Sequence, residues 1–267
     1  MSALEVINGN IVGIPAAIAA IVPAPGDSFT VRNCSLDKKV KMLSLWVQSQ
    51  VVGSGIVRVR SPRLHDNVEN FRAQHVPATL YPLTPPEISM PLIPQDDLIV
   101  EMTGGLIVTT IDNVCLLNYY EDLQGINARF ITDEEVKTRT KNVLTVECPI
   151  IPGILGGWSG AVPINATFDL FKQNMDYAIL GYHVNFECAA VGFLGSDFGN
   201  VRLGGPGCNV DKKLTAGWFM DLSRNHKLPL VPVFNSANID ALFVSICQND
   251  LGVPVIVSVI LAELSQS

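Results

Sequence analysis

The sequence predicts an all-β protein made of two tandem antiparallel sandwiches, and three observations support this fold class. Apolar runs rich in β-branched residues recur through the 267 residues, whereas helical periodicity is rare. Seventeen prolines and 21 glycines separate these runs, which is typical of short strands joined by turns. Short matching segments also recur in the same order in the two halves of the chain.

The strand predictions follow from alternation or from a continuous apolar character. Ile56–Arg60 is the clearest case, because Val57 and Val59 point to one face while Arg58 and Arg60 point to the other. The predicted strands are 40–52, 56–60, 97–102, 106–111, 113–120, 143–148, 177–186, 189–194, 200–203, 241–247 and 253–264.

Two short helices are predicted. Thr132–Arg139 has Thr132 at the N-cap position and Glu135 three residues later, which is the spacing of a capping box. The second predicted helix lies around Leu214–Ser223.

The internal duplication is the strongest sequence signal. Four matches keep the same order at separations of 137 to 144 residues, and an apolar strand ending in Glu closes each half. Each half has room for about eight short strands, the number in one jelly roll. The matched segments are 41–48 with 178–185, 55–62 with 199–206, 91–94 with 229–232, 97–100 with 240–244, and the closing strands 116–121 with 259–263.

The predicted domain organisation follows from this duplication. We expect an N-terminal arm at 1–24, a first eight-stranded jelly roll at 25–123 and a second at 142–267. The linker at 124–141 is more polar and contains the predicted short helix, which suits a domain boundary. The longest candidate insertions are Arg63–Ser89 and Cys208–Lys227.

Composition limits the classes of function. Hydrophobic residues make up 48% of the chain and charged residues 16%, so the sequence has enough apolar surface to fold. A net charge of −7 argues against specific nucleic-acid recognition. A mean hydropathy of +0.32 favours assembly, because obligate interfaces are more apolar than ordinary surface.

The longest charge-free stretches are Val6–Gly26 and Cys148–Phe168, and prolines interrupt both of them. Neither stretch therefore predicts a membrane-spanning helix. The first charged residue is Glu5, so the positive start of a signal peptide is missing and we expect synthesis in the cytoplasm.

No catalytic residue, metal site or cofactor is predicted. Ser159 lies in the Gly-rich segment 157–161, but surrounding prolines favour a turn over the strand–turn–helix of a nucleophile elbow. Four scattered histidines and six widely spaced cysteines show no ligand spacing, and reduced packing cysteines are expected. These residues are His65, His75, His183, His226, Cys34, Cys115, Cys148, Cys188, Cys208 and Cys247.

Three further segments have polar or glycine-rich patterns. Arg58, Arg60 and Arg63 form a basic cluster that predicts a solvated face, with an ion pair between subunits as the alternative. Asp96–Asp97 and Asp240 precede matching strands and are predicted as surface residues, with a Ca²⁺ site as the alternative. Gly204–Gly207 predicts a tight turn, because the Lys and helix of a phosphate loop are missing.

On these features, the chain resembles the double jelly-roll major capsid proteins of tailless icosahedral viruses, bacteriophages among them, over roughly residues 25–265. The resemblance implies a non-enzymatic virion protein that forms homotrimers with a pseudo-hexagonal outline and tiles an icosahedral shell. It also implies contacts with other virion proteins and, through the N-terminal arm, with an internal lipid membrane. The expected location is the capsid, after synthesis in the host cytoplasm.

Two other functions are compatible with a β-sandwich. A carbohydrate-binding spike or lectin-like adhesin would use exposed aromatic residues, for which Tyr81, Trp158 and Trp218 are the candidates. A cupin-like enzyme would need a His/Glu metal cluster within one barrel, and the sequence does not predict one.

Overall fold

The computed structural model of the protein describes residues 2–12, 17–35, 37–48, 55–64, 71–75, 82–103, 111–123, 125–151, 153–168, 171–207, 215–247 and 254–265. His65, Tyr81 and Cys208 lie outside these ranges, as do most of the predicted strand 106–111 and parts of both candidate insertions.

The first half of the described chain forms two antiparallel sheets. One sheet has the strand order β3-β1-β9-β4-β7 and the other has the order β2-β8-β5-β6. The strands are β1 (Ala3–Val12), β2 (Ala19–Ala20), β3 (Val22–Pro23), β4 (Val40–Gln48), β5 (Gly55–Arg60), β6 (Phe71–His75), β7 (Met90–Leu92), β8 (Ile99–Met102) and β9 (Ile111–Tyr120).

The second half repeats this arrangement. Its sheets have the orders β10-β16-β13-β18-β11 and β12-β17-β14-β15. The elements are β10 (Phe130–Ile131), α1 (Asp133–Arg139), β11 (Thr140–Ile150), β12 (Val162–Pro163), β13 (Asp176–Val184), β14 (Ala190–Leu194), β15 (Leu203–Pro206), α2 (Trp218–His226), β16 (Val231–Asn235), β17 (Phe243–Cys247) and β18 (Val255–Leu264), with short 3₁₀ helices at Ser196–Phe198 and Ser236–Ala241.

The two halves share one topology. In chain order, the eight strands β1, β2, β4, β5, β6, β7, β8 and β9 occupy the same sheet positions as β11, β12, β13, β14, β15, β16, β17 and β18. Each set forms a pair of four-stranded sheets, and β3 and β10 add an edge strand to one sheet of each pair. The prediction of an all-β chain with two tandem eight-stranded jelly rolls is therefore confirmed.

A β-bulge at the same position in both jelly rolls supports the equivalence. The pairing of β4 with β9 shifts register between Met42 and Ser44, and that of β13 with β18 shifts between Ile179 and Gly181. A bulge places an extra residue in one strand and bends it locally. The sequence match of 41–48 with 178–185 therefore aligns equivalent strands.

The match of 55–62 with 199–206 is wrong. The structural counterpart of β5 is β14, whereas residues 199–206 include β15, the counterpart of β6. Shared Gly, Val, Arg and Pro residues produced the match without an equivalent position in the fold.

The tight turn predicted at Gly204–Gly207 is also wrong, because β15 is a buried strand that ends at Pro206. Its glycines allow close packing: a Cβ atom on Gly204 would overlap the carbonyl oxygen of Val191, and one on Gly205 would overlap the indole of Trp218.

The N-terminal segment contributes a central strand to the first jelly roll. Between β3 and β9, β1 pairs along its full length with β9, and residues 3–9 are buried. Residues 3–12 of the expected arm are thus part of the sheet, because both faces of the strand are covered. Only 17–24 of the described arm residues lie beyond this strand, where β2 and β3 form edge pairings.

Both predicted helices are present with shifted bounds. α1 begins after Thr132, whose hydroxyl accepts a hydrogen bond from the Glu135 amide at 3.1 Å, as the capping box predicts. α2 lies a few residues later than predicted and packs against β13 and β16. No helix among the described residues has the length and apolar character needed to cross a membrane.

Candidate functional site: the junction of the two jelly rolls

One sheet of the first jelly roll is buried on both faces. Its inner face lies in the core of the first roll, with Ile7, Leu45 and Leu116 among its residues. Its outer face, which we call the junction face, belongs to the core of the second roll. The apolar residues of the junction face are Leu4 and Val6 of β1, Leu43 and Trp46 of β4, and Cys115, Leu117 and Tyr119 of β9.

Trp46 anchors the junction face to the second jelly roll. Its side chain is fully buried, and its Nε1 donates a hydrogen bond to the carbonyl oxygen of Ala189 at 2.8 Å. The ring also packs edge to face against Trp218, with ring centroids 6.2 Å apart. The indole therefore combines a large buried area with a directional bond between the two rolls.

Polar groups of β1 bond to the second roll beside this apolar contact. The amide nitrogen of the Asn8 side chain donates to the Gly156 carbonyl at 2.8 Å and to Cys247 Sγ at 2.9 Å. The side chain of Asn10 donates to the same Gly156 carbonyl at 2.9 Å, and the Val6 amide donates to the Arg202 carbonyl at 2.8 Å. These bonds fix the register of β1 against the second roll.

Asp27 receives donors from both jelly rolls. Its Oδ2 accepts from the Asn8 amide and from Trp158 Nε1, each at 2.8 Å, and its Oδ1 accepts from Arg202 Nη1 at 3.0 Å. The guanidinium of Arg202 lies 4.3 Å from the centre of the Trp158 ring, a cation–π contact. Burial raises the pKa of Asp27 and lowers that of Arg202.

Glu5 of β1 is a second buried carboxylate near Asp27. Glu5 accepts from Arg32 Nε at 2.7 Å and from the Tyr120 hydroxyl at 2.8 Å. Burial raises the pKa of Glu5 although Arg32 and Tyr120 oppose the shift, and burial also raises the pKa of Tyr120.

Both ion pairs line a cleft of about 570 Å³ between the two rolls. Its charges balance, because Glu5 and Asp27 are paired with Arg32 and Arg202. Among the described residues, no group of three or more His, Cys, Asp or Glu side chains could hold a metal ion. The geometry of these groups suits a structural role in holding the rolls together.

The described hydrogen bonds of the Ser159 hydroxyl are to backbone groups. Its hydroxyl accepts a hydrogen bond from the Ile246 amide at 3.0 Å and lies 3.0 Å from the Gly160 carbonyl, to which it donates. The Ser159 amide also donates to the Ile246 carbonyl, so this segment is fastened to β17. The hydroxyl thus bonds to backbone groups and not to a side-chain base.

The arginine cluster is engaged within the chain. Arg58 and Arg60 share Glu101, with Nε–Oε2 distances of 2.7 and 2.9 Å. Arg63 donates to the Pro94 carbonyl at 2.8 Å. The two strand arginines do lie on one face, as the alternation predicts.

The aspartates before β8 and β17 also have partners inside the chain. Asp96 accepts from Ser61, Asp97 from Thr30 at 2.6 Å, and Asp240 from Asn165 at 2.9 Å. The structure does not bring Asp240 together with the other two carboxylates, because the matching positions belong to different jelly rolls.

The described histidines and cysteines differ in burial. His75 is 2% exposed with Nε2 3.1 Å from the Thr103 carbonyl oxygen, and burial lowers its pKa, whereas His183 and His226 are half-buried. The described cysteines are buried: Cys34, Cys115, Cys148, Cys188 and Cys247.

The candidate carbohydrate-binding tryptophans have internal roles. Trp218 is buried and donates to the Gly204 carbonyl at 3.1 Å. Trp158 donates to Asp27 and lies against Arg202. A stacking platform for a sugar ring needs an accessible aromatic face, which these two contacts reduce.

Sequence reasoning did not find Asn8, Asp27 and Trp46 as junction residues. A signal was present in the Asn8 and Asn10 side chains, since asparagine within an otherwise apolar strand needs a polar partner when buried. The sequence around Trp46 does not indicate that one face of β4 lies in the core of the first roll and the other in the core of the second.

The second jelly roll presents a copy of the junction face whose residues are half-buried or exposed in the described part of the chain. In the first roll, Cys115 lies between Asn8 and Trp46 across three paired strands; in the second roll, Ser258 lies between Glu147 and His183 in the equivalent places. We call the second set the open face. Its members are Val143, Thr145, Glu147, His183, Ile256, Ser258 and Ile260, all half-buried or exposed.

Comparison with known proteins gives a weak structural likeness. No protein-family model and no curated protein match the sequence. A solved structure titled "Crystal Structure of the STIV MCP" aligns with 99% of this chain and 97% of its own, at 8% sequence identity and a TM-score of 0.22. The strand topology described above is what defines the fold of this chain.

Proposed function

We propose that this chain is a structural virion protein, a major capsid building block that forms homotrimers with a pseudo-hexagonal outline. The observation that carries the proposal is the open face. The open face of the second roll is equivalent to the junction face, which the first roll buries against the second roll of the same chain. A surface built for sheet packing and left half-exposed in a single chain favours a second copy as its partner.

The contact between the two rolls within one chain is our pattern for the contact between chains. Within one chain, the junction face packs against β15 and its neighbours in the second roll. When the open face packs in the same way on the sheet of β2, β8, β5 and β6 in the next chain, each contact is head to tail. Such contacts generate a ring if the rotation closes, and three chains would give six jelly rolls around one axis.

Charge is complementary between the two surfaces. The receiving sheet carries Arg58 and Arg60 with the single carboxylate of Glu101, and the exposed Arg72 lies directly across from Arg58. The open face carries the exposed Glu147. Opposite charges across an interface fix its register and speed its association.

The open face is also apolar enough for a stable contact. Val143 is 54% exposed, and Ile256 and Ile260 are half-buried in the isolated chain. A neighbouring chain would remove this apolar surface from water.

The proposed trimer would tile an icosahedral shell with other virion proteins, after synthesis in the host cytoplasm, and would perform no catalysis. We propose domain boundaries at 25–123 and 142–267 joined by a linker at 124–141, with β1 from segment 1–24 completing the first roll. Contact with an internal lipid layer would fall to residues near Val12 and Val22, which are 61% and 65% exposed.

The carbohydrate-binding alternative has less support. It depends on accessible aromatic rings, and the two candidate tryptophans that the structure describes contact other groups of the chain.

The test compares oligomeric state in matched variants. Size-exclusion chromatography with light scattering should give a trimer for the wild type and a monomer for Ile260→Lys, because an ammonium group on the open face would be buried against the basic receiving sheet. Ile88→Lys is the control, since Ile88 is 63% exposed and lies in the turn before β7. It should stay trimeric.

A monomeric wild type over a wide concentration range would contradict the proposal. So would a trimer that Ile260→Lys leaves intact. Far-ultraviolet circular dichroism of each variant shows whether the fold is retained, and electron microscopy of the wild-type trimer should show a pseudo-hexagonal outline.

A further inference from the structure

A cavity of about 320 Å³ lies between the bulge of β4, the turn at 82–86 and helix α2. This volume is at the lower end of the range for small-molecule sites. The cavity joins the two rolls at a place separate from the charged cleft. Its apolar wall consists of Leu43, Pro82, Pro86, Trp218 and Leu222.

Two of the lining residues have a buried polar atom without a hydrogen-bond partner among the described residues. One is the hydroxyl of Ser44, a residue only 2% exposed, and the other is Nε2 of His226. Both residues line the cavity. A buried polar atom without a partner is costly, so a group that bonds to either atom would gain free energy on binding.

The charges around the cavity select a neutral ligand. Among the described residues of the lining, Asp221 is the one carboxylate, so a ligand anion would meet a like charge. Its Oδ1 accepts a hydrogen bond from Arg224 at 2.8 Å. Burial lowers the pKa of His226, and the nearby positive charge of Lys41 adds to the shift. The imidazole is therefore neutral at pH 7, and a hydroxyl, which both donates and accepts, suits either of its tautomers.

We propose that this cavity binds a neutral, ring-sized apolar molecule that carries a hydroxyl group. The apolar body lies against Trp218, Leu43 and Leu222, and the hydroxyl bonds to Ser44 or His226. Because Ser44 belongs to the first roll and His226 to the second, the ligand bridges the two rolls and stabilises their junction.

Three probes test the chemistry on the full chain by isothermal titration calorimetry at pH 7. 2-Naphthol should bind saturably, with one molecule per chain. Naphthalene, which lacks the hydroxyl, should bind about tenfold more weakly, since one lost hydrogen bond is worth about that factor. 2-Naphthoate should not bind, because its carboxylate would face Asp221.

Two substitutions locate the site. Asn225→Trp places a large ring at a half-buried lining position and should abolish 2-naphthol binding. Ile88→Trp is the matched control, because Ile88 is 63% exposed and does not line the cavity. It should bind like the wild type.

Ser44→Ala leaves the walls in place and removes one polar atom. It should weaken 2-naphthol binding and leave naphthalene binding unchanged. Equal 2-naphthol binding by Asn225→Trp and Ile88→Trp would overturn the proposal, as would the absence of saturable binding to the wild type or equal affinity for all three probes.

Discussion

The two jelly rolls have the same strand order and the same bulge, yet their equivalent sheets differ in burial. In the first roll, β9 is buried at nine consecutive positions, 112–120. In the second roll, β18 alternates between buried and half-buried residues over 255–260. The difference shows that a strand's burial depends on what packs against its sheet.

Equivalent positions also differ in chemistry. Where the first roll has Asn8, which bonds to the second roll, the second roll has the exposed Glu147. Where the first roll has Trp46, the second has His183. The two faces therefore share a geometry but have different partners, which is what we expect if one contact forms within the chain and the other between chains.

The largest expected effect separates the two faces directly. Trp46→Ala should lower the free energy of unfolding by about 3–5 kcal/mol, because it leaves a cavity at the junction and the Ala189 carbonyl without its donor. His183→Ala, at the equivalent position of the open face, should cost the monomer about 1 kcal/mol or less.

Urea unfolding at a protein concentration low enough to keep the chain monomeric measures both values. If both variants lose a similar free energy of unfolding, the open face is already covered within one chain, and the proposed difference between the two faces is wrong.

A smaller effect concerns the pH dependence of the junction. Asp27 titrates near 3.8 when unfolded and at a higher pH when buried, so the folded chain binds a proton that the unfolded chain lacks between these values. This group therefore contributes stability that is fully present below the unfolded pKa and is lost as pH rises through the folded pKa. Glu5, whose pKa is also raised, acts in the same direction.

Asp176 of the second roll gives the opposite sign. Burial opposes the shift, but hydrogen bonds from Arg129 and Asn235 outweigh it and hold its pKa below 3.8. Its contribution is lost as pH falls through the folded pKa. Urea unfolding between pH 3 and 7 tests both signs. As the pH falls, the free energy of unfolding of Asp27→Asn should gain less than that of the wild type, and that of Asp176→Asn should lose less. Identical pH profiles in the two variants would contradict the assignment.

The smallest expected effect lies at the entry to the second roll, where α1 has no counterpart among the described residues of the first. Thr132→Ala removes the N-cap acceptor for the Glu135 amide and should cost about 1 kcal/mol. Thr138→Ala, on the exposed side of the same helix, is the control and should change the free energy of unfolding by less. Equal losses would assign the effect to helix propensity instead of to the cap.

Much of the fold could be predicted from local patterns. The alternation of Ile56–Arg60, the capping box at Thr132 and the match of 41–48 with 178–185 correspond to β5, the N-cap of α1 and the equivalent strands β4 and β13. The pairing of 55–62 with 199–206 failed because a few shared residues do not fix a strand's place in a sheet. The turn predicted at Gly204–Gly207 is wrong because glycines favour both a turn and a strand packed closely against its neighbours, and the sequence does not distinguish the two.

The sequence by itself determined the all-β class and the twofold repeat, since these depend on residue spacing and type along the chain. Tertiary structure alone decided that β1 is a central strand, that Asp27 accepts hydrogen bonds from both rolls, and that one sheet is buried on both faces while the described residues leave one face of its copy half-buried. The physical reason is that burial and charge pairing arise from residues brought together from distant parts of the chain, and nothing in the local pattern of β9 or β18 specifies which neighbour will cover it.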